Sequence, residues 1–182
     1  RMPRLLVLAP LPALATALLA VNSPPVVLDE TRLHITFTLD ASGATLLGVA
    51  ALLWSVAGLY ASTYLRSHPN LGRFSIYWLL TLTGSLGVFV AADLFTFYLT
   101  FALLSLAAYG LVVFDGTPKA RRAGVIYLAL ALLGEIFLLM GFVLLATAIP
   151  SDSLAIRDAL AALPTSPWRD PTLALLIAGF GL

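Results

Sequence analysis

The chain has 182 residues, of which 60% are hydrophobic and 10% charged, and its formal net charge is +1. A soluble domain carries about 25% charged residues because its surface faces water, so ten Lys plus Arg and nine Asp plus Glu exclude a soluble enzyme domain, and disorder with it. A mean hydropathy of +1.00 and the lack of a clustered basic footprint, which nucleic acid would require, leave an integral membrane protein that binds no nucleic acid.

A helix needs about 20 mainly apolar residues to cross the hydrocarbon core. The first candidate runs from Leu5 to Val21, 17 residues interrupted by Pro10 and Pro12. A retained helix is the favoured reading over a signal peptide, because the Asn-Ser-Pro-Pro that follows is a poor cleavage site. Next, Leu33 to Leu39 alternates apolar and polar residues with the period of a strand, which suits half of a hairpin or a segment lying at the interface. Ala41 to Leu65 is a charge-free stretch of 25 residues, with Asp40 placed to cap it. Phe74 to Phe114 holds one charge, Asp93, so its 41 residues accommodate two helices with Asp93 as a solvated cap at the turn between them. Ala123 to Ile149 is a fifth span with Glu135 at its centre.

The segment 150–171 reads as a surface loop containing a short interfacial helix from Ser151 to Leu163, stopped by Pro164. Trp168 suits the aromatic belt. A sixth span begins at Thr172 and reaches Leu182 after 11 residues. The expected fold is therefore an all-α, polytopic transmembrane bundle forming a single membrane domain over 1–182, with five full spans and a truncated sixth. The short sixth span and the Arg at position 1 lead us to expect an N-terminal fragment of a longer subunit.

If five spans alternate, Arg1, Arg4, Arg66, Arg73, Lys119, Arg121 and Arg122 share one side, seven of the ten basic residues. The other side is net acidic, with Asp29, Glu30, Asp40, Asp93, Asp152, Asp158 and Asp170. Basic loops stay in the cytoplasm, which orients the chain in a bacterial inner membrane.

Glu135 is the most informative residue. An acidic side chain at a helix centre costs about 2.5–3.5 kcal/mol on insertion scales, so it must face protein, water or a partner. It is either a protonatable site in an ion path or a structural carboxylate that fixes helix packing. Its neighbours at helical spacing, among them Leu128, Ala131, Leu132, Leu138 and Phe142, are apolar, which puts any polar partner on another helix or another chain. Thr81, Thr83, Ser85, Thr96, Thr100 and Ser105 are the intramembrane hydroxyls, though many such groups bond back to their own helix. Thr100 and Ser105 join Glu135 as the candidate ion pathway. Gly84, Ser85 and Gly87 form a small-residue patch suited to close helix contact, and Tyr98 and Tyr109 read as packing residues. With no cysteine, the chain has no thiolate zinc site, iron–sulfur cluster or disulfide. His34 and His68 lack metal-ligand spacing, and no nucleophile–base pair, phosphate loop or dinucleotide fingerprint appears. Catalytic residues, metal and cofactor are all expected to be absent.

The order of landmarks carries a resemblance. Phe37-Thr-Leu-Asp40-Ala-Ser opens the second span and Leu59-Tyr-Ala-Ser-Thr-Tyr64-Leu-Arg closes it. Then come Arg73-Phe74, Ala91-Ala-Asp93-Leu-Phe-Thr-Phe-Tyr-Leu, Phe101-Ala-Leu-Leu-Ser105-Leu-Ala-Ala-Tyr109, Arg122-Ala-Gly-Val-Ile126-Tyr127 and Leu133-Gly134-Glu135. Over roughly residues 33–149 this series resembles the antiporter-like membrane subunits of respiratory complex I, membrane-bound hydrogenases and Mrp-type sodium/proton antiporters. The resemblance implies an ion-translocating subunit, moving protons or sodium, of a complex I-related oxidoreductase or hydrogenase assembly. Its partners would be membrane lipids and other membrane subunits, with electron carriers held elsewhere in an NADH-quinone oxidoreductase-like complex.

Three departures bear on mechanism. The family's pathway glutamate falls where this chain has Ala102, and many members carry a lysine where Ile126 stands. The family's central lysine would lie just past Gly179-Phe-Gly-Leu182. Glu135 matches a position that is often acidic in the family. Either Glu135 takes part of the missing role or the segment is a non-conducting scaffold; a stand-alone cation/proton antiporter module is a further alternative.

Overall fold

The computed structural model describes residues 6–30, 33–66, 68–149 and 154–182. A helical turn at 6–8 leads into α1 (Leu11–Leu19), which is followed by the strands β1 (Val26–Glu30) and β2 (Leu33–Phe37). The long helices are α2 (Ala41–Tyr64), α3 (Leu71–Val90), α4 (Leu94–Val113) and α5 (Pro118–Thr147). A short α6 (Ile156–Ala162), a 3₁₀ turn (Leu163–Thr165) and α7 (Arg169–Gly181) complete the chain.

Four of these helices, α2 to α5, are long and apolar enough to cross a membrane. The expected first span is shorter than that. Its apolar helical segment, Leu6–Leu19, opens into a turn at Ala9-Pro10, because each proline removes a backbone donor and Pro10 blocks a continuous ladder. Even so, the segment runs the full way between two packed ends. Leu6 sits with Leu65, Phe74 and Trp78 at one end, and Ala17 with Leu39, Ala44 and Leu47 at the other. The 13-residue α7 is likewise short of a full crossing, at about 1.5 Å per residue.

The bundle is helical, as expected, with one small two-stranded addition. β1 and β2 form an antiparallel hairpin with Val26 opposite Phe37 and Glu30 opposite Leu33, so the alternating run from Leu33 supplies half of a hairpin. Its docking on the helices is what makes it persist, since an isolated two-stranded hairpin is marginal in water. Thr38 N donates to Val90 O (2.8 Å), Ala92 N to Thr36 O (2.9 Å), and Asn22 N to Leu39 O (2.8 Å). On the far side of the same turn, Leu94 N donates to Leu154 O and Ile156 N to Ala92 O. The extended turn at 91–93 thus sits between the hairpin and the start of α6.

Asp93 is the hub of this junction, and it is buried rather than solvated. One carboxylate oxygen accepts from Thr96 N (2.7 Å) and caps α4; the other accepts from Thr96 Oγ1 (2.7 Å) and Thr36 N (2.9 Å). Asp40 caps α2 as expected, accepting from Gly43 N (2.6 Å). Helix α6 starts later than the sequence pattern suggests. Ala155 is extended, forming a bridge to Asp93, so the helix cannot begin before Ile156. Ser151 and Asp152 lie outside the described residues. Ala159 and Leu163 bury against Leu94 and Leu145, so this helix packs onto the end of the bundle.

At the opposite end, Trp54, Phe74, Trp78 and Phe114 form an aromatic cluster. His68 Nε2 pairs there with Asp115 Oδ1 at 3.2 Å, joining the α2–α3 and α4–α5 turns. Arg66, Arg73, Lys119, Arg121 and Arg122 all belong to this end. Asp40, Asp93, Asp158 and Asp170 belong to the hairpin end, together with Arg157 and Arg169, while Asp115 lies at the other end.

Candidate ion-path site around Glu135

Close helix contact comes first, because it fixes where the polar groups can go. Where α3 crosses α4, a Cβ at Gly84 would stand 2.4 Å from Leu104 N, so only glycine admits that approach. Gly84 and Gly87 form a packing seam against α4, while Ser85 accepts from Trp54 Nε1 of α2 at 3.1 Å. On the other flank of α5, a Cβ at Gly179 would stand 2.7 Å from Leu138 Cγ and 2.9 Å from Leu138 N, so α7 lies directly on α5. Glu135 is on α5 between these contacts and is 6% exposed.

Its partner comes from α4. Ser105 Oγ donates a short hydrogen bond to Glu135 Oε1. The Ser105 carbonyl, in turn, accepts from the Tyr127 hydroxyl at 2.9 Å. Glu135 Oε2 is buried and has no hydrogen-bond partner among the described residues. Beside the carboxylate lies a cavity of about 290 Å³ lined by Ser105, Tyr127, Glu135, Phe101, Gly179 and Phe180, among others. A space of that size accommodates several waters, and a buried acceptor without a partner is a group that would hold one. The arrangement places a buried carboxylate oxygen where water, and with it a proton, could reach it. Among the described residues no group of three or more His, Asp or Glu gathers as a metal site.

Of the three candidate residues, Glu135 and Ser105 are brought together. Thr100 is not; its hydroxyl donates to Thr96 O (2.9 Å) and Phe97 O (3.1 Å) on its own helix, and its methyl packs on Gly87. Thr81 and Thr83 bond back in the same way, to Tyr77 O and Leu79 O. Tyr109 packs against Gly124 as a spacer. The Tyr98 ring meets Phe142 edge-on, a packing contact. Tyr127 was missed in the sequence. The signal that finds it is the ridge of i, i+4 and i+8 positions, Tyr127–Ala131–Glu135, along which long side chains can converge.

A family model described as NADH:quinone oxidoreductase/Mrp antiporter, transmembrane, matches residues 91–180, a stretch that holds Tyr98, Ser105, Tyr127 and Glu135. Two NADH-quinone oxidoreductase subunits N are similar to the chain: that of Sorangium cellulosum (N 1) is 32% identical over 88% of this chain and 30% of its own length. That of Desulforudis audaxviator is 31% identical over 81% of this chain and 30% of its own length. The chain belongs to this antiporter-like membrane family. Its fold is shared with a chain of the membrane-bound sulfane sulfur reductase, an archaeal respiratory membrane complex, at a TM-score of 0.76 and 23% identity over 98% of this chain and 37% of that one. The chain spans less than a third of the length of the curated relatives it matches. Membership makes it an integral membrane, antiporter-like subunit. Within the family's pattern, the Ser105 turn of α4 follows directly on Ala102, so the Glu135 carboxylate comes from α5 to a part of α4 that lacks an acid of its own.

Proposed function

We propose that the chain forms part of a proton-translocating subunit in a complex I-related oxidoreductase or hydrogenase assembly, and that Glu135 is the group that takes up and releases the ion. The observation that carries this reading is the buried carboxylate itself: one oxygen held by Ser105, the other unpartnered, beside a cavity. An acid that served packing alone would have both oxygens satisfied, since an orphaned buried acceptor costs about 1–3 kcal/mol. The proton is favoured over sodium because the polar groups around the cavity among the described residues are one carboxylate, one serine and a tyrosine, fewer oxygens than a dehydrated cation needs. Other membrane subunits and lipids cover the exposed apolar faces of α2 and α5, and redox chemistry belongs to partner subunits. The Arg66, Arg73 and Lys119–Arg122 end faces the cytoplasm in a bacterial inner membrane.

A second reading, a non-conducting scaffold subunit, is favoured by one observation. Ala102 and Ile126 replace the family's pathway glutamate and lysine, and Ile126 is half exposed on α5. Replacing Glu135 by Gln in the intact assembly separates the two. The transport reading predicts normal assembly with ion pumping strongly reduced; unchanged pumping leaves the scaffold.

A further inference from the structure

Ser105 is held from α5 at two points. Its hydroxyl donates to Glu135 Oε1, and its carbonyl accepts from the Tyr127 hydroxyl at 2.9 Å. Tyr127 and Glu135 stand about 12 Å apart along the α5 axis, at about 1.5 Å per residue. Ala131, midway between them in sequence, also lines the cavity, and its small side chain lets the two longer ones converge on one residue of α4. The Ser105 hydroxyl has a second acceptor on its own helix, Ala102 O at 3.4 Å, the kind of back-bond that serines inside helices commonly make. A hydroxyl has one proton to donate, so bonding to Ala102 competes with bonding to Glu135. The outcome depends on how closely the Ser105 turn of α4 is drawn to α5, and the Tyr127 bond draws it there.

We infer that Tyr127 is a positioning residue for the proton site: its bond to the Ser105 carbonyl keeps the Ser105 hydroxyl turned to Glu135 Oε1, and so assigns the incoming proton to Oε2. This rests on the reading of Glu135 as the group that carries the proton. With Oε1 accepting from Ser105, Oε2 is the unpartnered oxygen among the described residues, and the cavity lies beside the carboxylate. The O–H bond that forms at Oε2 replaces one broken in the hydrated proton of the cavity water. The neutral acid then has Oε1 as its carbonyl and Oε2 as its hydroxyl. Without the Tyr127 hydroxyl, the Ser105 turn loses its second hold, the serine proton falls back to Ala102 O, and both carboxylate oxygens stand open to the proton. The phenol stays neutral throughout, its own proton remaining in the bond to Ser105 O.

The test is acid-minus-alkaline difference infrared on the intact assembly, with the C=O stretch of Glu135 assigned by its loss in Glu135→Gln. A hydrogen bond to the carbonyl oxygen lowers this stretch, so Ser105→Ala is expected to shift the band to higher wavenumber. Tyr127→Phe keeps the ring that lines the cavity and removes the hydroxyl; it is expected to shift the band in the same direction, toward the Ser105→Ala position. Because Tyr127 acts through Ser105, the double variant is expected to show no shift beyond that of Ser105→Ala, the non-additivity of residues that share one hydrogen-bond network. An unmoved band in Tyr127→Phe, or shifts that add in the double variant, would overturn the positioning role. A difference spectrum from which Glu135→Gln removes no band would instead overturn the reading of Glu135 as the proton carrier.

Discussion

Three carboxylates in this chain show how surroundings decide what an acid does. Asp93 is buried and has three donors on two oxygens, which makes it a fixed structural clamp. Asp115 is half exposed and, among the described residues, meets His68, so water competes for it. Glu135 is as buried as Asp93 but, among the described residues, has one hydrogen-bond donor, and the proposed exchange of a proton draws on that incomplete coordination. Stability measurements should rank the first two. Asp93→Ala removes a helix cap and a buried interstrand link and is expected to cost about 3 kcal/mol. Asp115→Ala breaks a surface pair worth about 1 kcal/mol or less. Thermal unfolding of the detergent-solubilised subunit reads both; equal losses would mean that Asp93 is not the hub.

The residue scale was partly legible beforehand. Glu135 stands out in the sequence because a lone acid in an apolar run needs company, and its apolar neighbours on α5 place that company on another helix, where Ser105 is found. Which hydroxyl would answer was not legible. Ser105 and Thr100 sit on the same helix and both hydroxyls reach back to its carbonyls, but only that of Ser105 also meets Glu135. Asp93 was read correctly as a cap and incorrectly as solvated, because what buries it are segments 36–37 and 154–156, far away along the chain.

Among the elements, glycine sets the spacing that makes the site possible. Gly84 lets α3 reach the backbone of α4 at Leu104, one residue before Ser105, and Gly179 brings α7 onto α5 three residues from Glu135. Gly84→Ala is expected to destabilise the bundle by about 1–3 kcal/mol, the usual cost of overpacking, because backbone and not a flexible side-chain tip would have to move. Gly72→Ala is the control: a Cβ there meets nothing within 4 Å, and alanine favours the helix. Thermal midpoints of the two variants check the contrast, and a Gly84→Ala protein as stable as wild type would show that the α3–α4 seam is looser than described. Element existence was legible from apolar length, and the small-residue patch from its composition. The early break in the first span follows from its prolines, whose effect on helix length the apolar count alone does not register. The start of α6 was set by backbone pairing with the turn at 91–93, a long-range contact that local periodicity does not encode.

At the scale of the whole molecule, the charge pattern and the packing agree on two ends. The His68–Asp115 pair joins the turns near Arg66, Arg73, Lys119, Arg121 and Arg122, and Asp40, Asp93, Asp158 and Asp170 lie at the hairpin end with Arg157 and Arg169. Because the chain has no cysteine, single substitutions report sidedness cleanly. Lys119→Cys and Asp170→Cys are expected to react with a membrane-impermeant maleimide from opposite sides, Asp170→Cys in intact cells and Lys119→Cys only after the membrane is opened. Labelling of both from the outside would contradict the topology. Family membership gives the antiporter-like membrane character, and in this chain the buried acid stands on α5 and not at position 102 of α4.

The most direct test is the number of ions moved per redox turnover by the assembled complex in sealed vesicles, compared between wild type and Glu135→Gln. With the ion carried through Glu135, the ratio falls in the variant while the complex assembles and its redox partner still turns over. An unchanged ratio would contradict the account.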